Sequence, residues 1–370
     1  MKTPGSFVKF HVPEAAVADF WTFVDEGLKA GAFKECEPNQ EKSNGFASWD
    51  DAFDADFNKN VYHIGEYVCF NFRQDVRKVS KVLLKKFVKE QIEKYKEQNG
   101  HYPKKAQRLE IHENVYNALM ARTLPQPSSY GVIWNPGAKW MILGATNTGL
   151  IEAFLEKFES VFKMYPKPLF HANFALEELG LNDQQKTLLN ALVSVSAPTA
   201  IDDGKFIGFE FLTWLWYTIE NQVGGFNIGN NTRLEIALGD RLTLCLPDEV
   251  KEQVSCVTQA NSLVEAHTAL QQGKMVKSIQ LVVRTIGQDE REYIINIDTS
   301  LLAIKGMKTP KAAPPDDDDV DGYFLENMFF LEEVLASVKY LFGVFMNQRL
   351  DPVWNSDVLP KINGWIHGDD

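Results

Sequence analysis

The sequence has few cysteines, and those that it has do not form a recognisable site. Cys36, Cys69, Cys245 and Cys256 are scattered, and none stands in the paired C-x-x-C pattern of zinc or redox centres. This usage favours a reducing compartment. Cys69 lies in an apolar run, Tyr67–Phe70, so we predict a buried structural thiol there rather than a reactive one.

The sequence also lacks long apolar runs. No segment reaches the roughly 20 apolar residues that a membrane-spanning helix needs, and residues 1–10 lack the apolar core of a secretory signal. We therefore expect a soluble, cytoplasmic protein that does not associate with a membrane.

Catalytic motifs are missing as well. The patterns G-x-S-x-G and H-E-x-x-H do not occur, and the histidines are dispersed along the chain. Gly144 to Gly149 has the glycine spacing of a phosphate loop, but Leu150 and Ile151 stand where that motif needs Lys and Ser or Thr. The sequence therefore predicts no catalytic residue, no metal site and no cofactor.

Basic residues are outnumbered, but they are concentrated. The chain has 38 Lys and Arg against 50 Asp and Glu, a net charge of -12. Between Arg73 and Arg108, however, twelve basic residues stand against four acidic ones, a net charge of +8 that leaves -20 for the rest. A basic segment on an acidic body can hold a polyanion on one surface while the other surfaces repel it. A solvated helix face is the alternative interpretation.

Two helices are predicted in this segment, over about residues 77–121. The first, Ser80 to Gln98, repeats apolar residues at helical spacing: Leu84, Val88, Ile92 and Tyr95. On another face it repeats lysines at i, i+4: Lys81, Lys85 and Lys89. The second, from about Lys104 to Ala121, has its apolar side at Leu109, Val115 and Leu119. Together they predict a protruding basic helical hairpin that can lie along the phosphates of a duplex.

The flanking segments predict an α+β fold with antiparallel or mixed sheets and packed helices. Before the hairpin we expect a strand at Phe7–Val12, a helix from Pro13 to about Gly31, a loop over Asn39–Asn60 and a strand at Val61–Phe72. After it we expect strands at Tyr130–Trp134 and Trp140–Ala145, joined by a turn, and a helix over about Thr148–Phe162. These elements form a predicted N-terminal domain, residues 1–170.

A second α+β domain is predicted at residues 171–310. Its expected helices are Leu176–Val193, Phe206–Glu220 and about Ser262–Gln272, and its expected strands are Leu234–Leu246, Ile279–Thr285 and Glu292–Ile297. An acidic, Pro-rich loop at 311–322 and a C-terminal helix and tail at 323–370 complete the chain.

One predicted helix, Phe206–Glu220, is apolar nearly all round. It contains Phe209, Trp214, Trp216 and Tyr217. Such a helix is typical of a core or of a subunit contact, because no face is left for solvent. The alternative, a platform on which unpaired bases stack, would need more interleaved cations than the run contains.

Several short motifs stand in a characteristic order. Lys85-Lys86 and Lys104-Lys105 mark two charged helices, and the second runs into Ala121-Arg122-Thr123-Leu124-Pro125 and then Val132-Ile133-Trp134-Asn135. Further segments of note are Gly45–Trp49, Phe211–Trp216, Leu238–Arg241 and Gly273–Lys277. This order resembles the RdgC family, in which a lysine-bearing helix pair precedes a turn of this kind and a strand that ends in Trp. The resemblance is strongest from Val61 to Phe162, and from Lys305 onward it rests on order alone.

The resemblance implies sequence-independent binding of double-stranded DNA by a ring-shaped homodimer with a basic inner surface, which restrains the strand-exchange recombinase. It implies a nucleoid-associated cytoplasmic protein with a role in DNA recombination. The residues that we predict to contact DNA phosphates are Arg77, Lys78, Lys81, Lys85, Lys86, Lys89, Lys104, Lys105 and Arg108, together with Lys274 and Lys277 outside the basic segment.

Two other functions stay open. Relatives in this family have carried an exonuclease label, and Asp240 with Glu249 and Lys251 faintly resembles a metal-nuclease signature. Chance explains that pattern in so acidic a chain, and we interpret Asp316–Asp319 as a solvated loop rather than a cation site. The third possibility is an acidic protein-interaction module that engages a basic partner or the recombinase itself.

Overall fold

The structure is a computed structural model. It describes residues 3–38, 40–57, 62–196, 205–221, 225–229, 232–246, 252–257, 263–287, 289–312 and 320–368.

The first sheet comes from the N-terminal part of the chain. Its strands are β1 (Val8–His11), β2 (Lys42–Ala47), β3 (His63–Ile64), β4 (Tyr67–Val76), β5 (Gln126–Asn135), β6 (Trp140–Leu143) and β7 (Lys167–Pro168). The order is β2-β4-β5-β6-β1-β7, with β3 paired to β4, and these strands pair in antiparallel fashion. The helices of this part are α1 (Phe20–Ala30), α2 (Lys81–Asn99), α3 (Lys105–Arg122) and α4 (Thr148–Phe162).

Alternation along β4 divides the first sheet into two buried faces. Val68, Phe70 and Phe72 point to one side, where they share a core with Val24 of α1 and with aromatic residues of α4. The apolar face of α4 repeats at helical spacing: Leu150, Ile151, Phe154, Leu155, Phe158 and Phe162. Burial of each such side chain contributes about 1.5–3 kcal/mol, so this face is held by hydrophobic packing.

The second part of the chain adds another antiparallel sheet and further helices. Its elements are α5 (His171–Glu178), α6 (Asp183–Ser196), α7 (Lys205–Asn221), β8 (Phe226–Gly229), β9 (Thr232–Cys245), β10 (Gln253–Val257), α8 (Val264–Gln271), β11 (Met275–Ile286), β12 (Arg291–Asp298), β13 (Ala303–Lys308), α9 (Val320–Arg349), a π-helical turn (Trp354–Val358) and α10 (Leu359–His367). The strand order is β10-β9-β11-β12-β13, with β8 paired to β9.

The two parts share one core. Cys69, Ile133 and Ile142, on the other face of the first sheet, belong to the same apolar cluster as Phe211 of α7 and Phe342 of α9. Charged contacts also join them: the Lys9 ammonium lies 2.7 Å from the Glu178 carboxylate, and Glu178 also contacts Lys339 at 3.1 Å. Helices α2 and α3 take little part in either core, since α2 buries no side chain and α3 buries only Met120.

The α+β prediction is confirmed, with two corrections in the first part. The helix predicted from Pro13 begins only at Phe20, because the Asp19 carboxylate accepts hydrogen bonds from the backbone N–H groups of Trp21 and Thr22 and so caps the helix there. The loop predicted over 39–60 contains β2, which pairs with β4 over its whole length.

Three further differences concern the second part. The single helix predicted at Leu176–Val193 is two helices, α5 and α6, because the chain turns at Gly180 with a φ of +61°. The segment predicted as a tail after Leu350 contains the π-helical turn and α10. Of the predicted acidic loop, 313–319 lie outside the described residues and 320–322 begin α9. The domain boundary near residue 170 stays a prediction.

Candidate nucleic-acid interface

Local signals fix both ends of α2 and the turn that follows it. The Ser80 hydroxyl accepts a hydrogen bond from the Leu83 backbone N–H at the start, and Gly100 ends the helix with a φ of +74°. The described chain then turns through residues 101–104 into α3, which packs against α2. At the base, Met120 is 3% exposed and the Tyr116 hydroxyl donates a hydrogen bond to Glu41. We call α2, α3 and this turn the hairpin, residues 81–122.

The predicted apolar stripe of α2 is found at the expected positions. Its residues are half-buried: Leu84, Val88, Ile92 and Tyr95. On α3 the half-buried stripe is Ile111, Val115 and Leu119, again at i, i+4 spacing. The assignment of Leu109 to this side was wrong, since its side chain is 60% exposed. Each helix thus packs one narrow stripe against the other helix and leaves most of its surface exposed to solvent.

The three lysines predicted to share a face of α2 are all exposed. They are Lys81, Lys85 and Lys89, one helical turn apart. Within the described part of the chain, no Asp or Glu lies within 4.0 Å of their ammonium groups. Lys86 is different, because it lies 3.8 Å from the Glu90 carboxylate of the next turn. We call Lys81, Lys85 and Lys89 the lysine face; its charge is available to an anion.

The other predicted cations of the hairpin region have different surroundings. Lys78, Lys104 and Lys105 are exposed. Arg77 is half-buried, and its guanidinium donates to the backbone oxygens of Pro38 at 2.8 Å and Cys36 at 3.1 Å. The Arg108 side chain donates to the Pro103 oxygen at 3.0 Å. Both arginines therefore hold backbone in place, and only their remaining N–H groups could meet a phosphate.

One member of the basic segment is neutralised within the fold. Arg73 makes two hydrogen bonds of 2.8 Å to Asp75, and its guanidinium lies 4.0 Å from the centre of the Phe33 ring and 4.8 Å from that of Phe53. The paired hydrogen bonds to Asp75 raise the pKa of Arg73, although burial opposes them. The positive charge of Arg73 is thus balanced by Asp75 within β4 of the first sheet.

Of the two predicted cations outside the hairpin region, Lys274 precedes β11 and Lys277 lies within it. Lys274 is 8% exposed, and its ammonium lies 3.0 Å from the Glu252 carboxylate. Because its charge is buried and paired, Lys274 does not present a free cation at the surface. Lys277, half-buried, donates a 3.0 Å hydrogen bond to Gln253.

The aromatic helix α7 is part of the core, as the first interpretation expected. Phe209, Trp214 and Trp216 are 0–2% exposed, so they cannot act as a stacking platform without unfolding. An exposed aromatic side chain among cations lies elsewhere, at the turn of the hairpin, where Tyr102 is 49% exposed. Its hydroxyl contacts the Lys96 ammonium at 2.9 Å, and this hydrogen bond raises the pKa of Lys96. Sequence reasoning missed Tyr102; the available signal was an aromatic residue in the turn between two basic helices.

Metal ligands do not cluster in the described residues, where no three His, Cys, Asp or Glu side chains come together as a metal site. Residues 247–251 and Asp316–Asp319 lie outside the described residues, so the nuclease-like carboxylates there are not placed. The loop at Gly144–Gly149 leads into α4, whose first turn is capped by the Asn147 side chain, 3.1 Å from the Leu150 nitrogen.

The buried-thiol prediction for Cys69 is confirmed. Cys69 is 0% exposed, and burial raises its pKa above the ordinary value. Burial also raises the pKa of Cys36 and Cys256. Across the described ranges, no helix is both long and apolar enough to cross a lipid bilayer.

Comparison with known proteins shows similarity to one family. Residues 11–179 match a family model described as "Putative exonuclease, RdgC". The Recombination-associated protein RdgC of Dechloromonas aromatica (strain RCB) is 26% identical over 149 residues, which are 40% of this chain and 47% of that relative. The match thus spans about half the length of the relative. The family model spans the hairpin and its flanking strands, on which the resemblance was based, and the resemblance to the RdgC family is confirmed over residues 11–179.

Proposed function

We propose that this protein binds double-stranded DNA without sequence preference, through the lysine face of the hairpin, in a recombination-associated role. The observation that carries the proposal is that Lys81, Lys85 and Lys89 are exposed, one turn apart and without an ion pair in the described part of the chain. Duplex DNA presents charges about 1.7 Å apart along its axis. A row of cations on a rigid helix can therefore meet several phosphates without reading a base.

The surroundings of the lysine face support phosphate contact over base readout. Lysine is a flexible point charge, and the apolar stripe of α2 is occupied by α3, so no helix face is set up to read base edges. Lys78, Lys86, Lys104 and Lys105 add further exposed cations in or next to the hairpin. The acidic remainder of the chain, at -20, would repel DNA elsewhere and confine binding to the hairpin.

The finer parts of the proposal come from the family. The relative's name associates it with recombination, and we propose the same association for this chain. The proposal includes a homodimer that forms a ring around the duplex. It also includes restraint of the strand-exchange recombinase and localisation at the nucleoid.

The test is charge reversal of Lys81, Lys85 and Lys89 together, to Glu. The three side chains are exposed, so the fold should persist, and circular dichroism and the unfolding midpoint should match the parent. Duplex binding, measured by fluorescence anisotropy at matched salt, should be lost. The matched control reverses Lys29, Lys167 and Lys186, exposed lysines outside the hairpin, and should bind as the parent does. If the lysine-face variant binds duplex like the parent, the proposal fails.

The description of the family model gives a second candidate, a metal-dependent exonuclease. Such an enzyme needs clustered carboxylates to hold a divalent cation. Of the two carboxylates in the nuclease-like pattern, Asp240 is exposed on β9 and Glu249 lies outside the described residues. Incubation of end-labelled duplex with the protein and magnesium separates the two functions. Release of nucleotides that stops in an Asp240→Asn, Glu249→Gln variant would favour the enzyme.

A further inference from the structure

The turn of the hairpin places an aromatic ring among cations. Tyr102 is 49% exposed, and the Lys96 ammonium lies 4.3 Å from the centre of its ring. Close to it in the sequence are further cations, Lys94, Lys104, Lys105 and Arg108, against two carboxylates, Glu93 and Glu97. Proteins that hold single-stranded nucleic acid combine these two elements, a cationic surface for the backbone and an exposed ring on which a base can stack. In the core helix α7, by contrast, Phe209, Phe211, Trp214 and Trp216 are buried, and Tyr217 is half-buried.

Tyr102 is held in place rather than left free. Its hydroxyl is fixed by the Lys96 ammonium, 2.9 Å away. The backbone beside it is fixed too, because Pro103 is buried and its oxygen accepts the 3.0 Å hydrogen bond from Arg108. The neighbouring His101 ring packs edge-on against Tyr95, with 6.0 Å between ring centres. A ring already fixed in an exposed position loses little conformational entropy when a base stacks on it.

We propose that the hairpin turn is a binding site for unpaired nucleobases, with Tyr102 as the stacking ring and Lys104 and Lys105 as partners of the adjoining phosphates. The ligand class is single-stranded DNA at a junction with duplex, which the lysine face would hold at the same time. The inference rests on the proposed function, because it assumes that the hairpin lies along DNA. It adds a preference that the lysine face cannot provide, since phosphates are present in paired and unpaired DNA alike.

The experiment compares a blunt duplex with the same duplex carrying a single-stranded extension, by anisotropy at matched salt. The parent should bind the extended DNA more tightly by on the order of tenfold, since one stacked base contributes about 1–3 kcal/mol. Tyr102→Ala should remove that preference and leave affinity for the blunt duplex unchanged. Tyr102→Phe keeps the ring without the hydroxyl and should retain the preference. Tyr165→Ala is the matched control, since Tyr165 is 50% exposed and lies outside the hairpin.

A direct readout of stacking is 2-aminopurine placed in the extension. Its fluorescence should fall when the parent binds, and should stay high with Tyr102→Ala. The inference is overturned if the parent shows no preference for extended DNA, or if Tyr102→Ala keeps the preference or the quenching. Failure of the proposed function would look different, because the charge-reversed lysine face would then still bind blunt duplex.

Discussion

The indole nitrogen of Trp365 donates a 2.9 Å hydrogen bond to the carboxylate of Glu220, and so ties α10 to α7. The other carboxylate oxygen accepts a 2.6 Å hydrogen bond from Trp216. The His267 ring of α8 lies 3.3 Å from the oxygen that Trp365 contacts. One carboxylate therefore joins three helices that are separate in the sequence. Since a hydrogen bond to a charged group contributes more than a neutral one, Glu220 should be a main anchor of the C-terminal helix.

Glu220→Ala should lower the free energy of unfolding by about 1–2 kcal/mol, because two indole N–H groups lose their acceptor. The loss is limited because the Glu220 side chain is 29% exposed and water can replace part of its hydrogen bonding. Urea unfolding followed by tryptophan fluorescence measures the change. Glu292→Ala removes a carboxylate that is paired with Arg284 on the surface, and should change stability by less than about 1 kcal/mol. Equal effects of the two variants would contradict the anchoring role.

Stability should also depend on pH through Glu178. Burial by itself would raise the pKa of Glu178, but the charges and hydrogen bonds of Lys9 and Lys339 outweigh it and hold the pKa below the ordinary value of 4.5. A carboxyl with a lower pKa in the folded state contributes stability that is present above the unfolded value and is lost as the pH falls through the folded one. The parent should therefore become less stable as the pH falls below 4.5.

Glu178→Gln tests this dependence. At neutral pH the variant should lose about 3 kcal/mol, because it leaves Lys9 buried without its partner. Below pH 4.5 the free energy of unfolding should fall less steeply in the variant than in the parent. Glu14→Gln, whose side chain is 80% exposed, serves as control and should follow the parent curve. Parallel curves for Glu178→Gln and the parent would assign the acid sensitivity to other groups, such as Asp298, whose pKa is also lowered.

Trp216 separates the core interpretation of α7 from the stacking interpretation. Its side chain is fully buried, so Trp216→Ala should lower the free energy of unfolding by about 3–5 kcal/mol. Leu124→Ala, at a position 83% exposed, should change it by less than about 1 kcal/mol. Where the Trp216 variant still folds, its affinity for DNA should equal that of the parent. A loss of DNA binding at unchanged stability would restore the stacking interpretation.

The sequence predicts well those elements whose conformation depends on residues close to them in the chain. Helix α2 was predicted within a residue at each end because Ser80 and Gly100 act on their own turns. Strand β2 was missed because Lys42–Ala47 has little apolar character, and its conformation is set by pairing with β4 some 30 residues away. Helix α1 begins later in the chain than predicted. The Asp19 side chain caps its first turn, whereas a Pro such as Pro13 is only compatible with a helix start and does not fix one.

The same distinction applies to the candidate site. The exposure of Lys81, Lys85 and Lys89 follows from helical spacing, which is readable in the sequence. The surroundings of Arg77 and Lys274 do not, because their partners, Pro38 and Glu252, come from distant parts of the chain. The position of Tyr102 in the turn between two basic helices was readable too, but its exposure was not, since a ring in a turn stays exposed only when no neighbouring element covers it.

The salt dependence of DNA binding should report how many phosphates the lysine face neutralises. The logarithm of the binding constant falls linearly with the logarithm of the salt concentration, with a slope of about -0.9 for each phosphate contacted in duplex DNA. Substitution of Lys81, Lys85 or Lys89 by Gln should therefore reduce the steepness by about 0.9 for each lysine removed. Lys186→Gln, on α6, changes the same charge outside the hairpin and should leave the slope unaltered. The measurement is an anisotropy titration over a salt series with one duplex. Because a general loss of positive charge would flatten both slopes alike, equal slopes for the hairpin and α6 variants would place the DNA contact away from the lysine face.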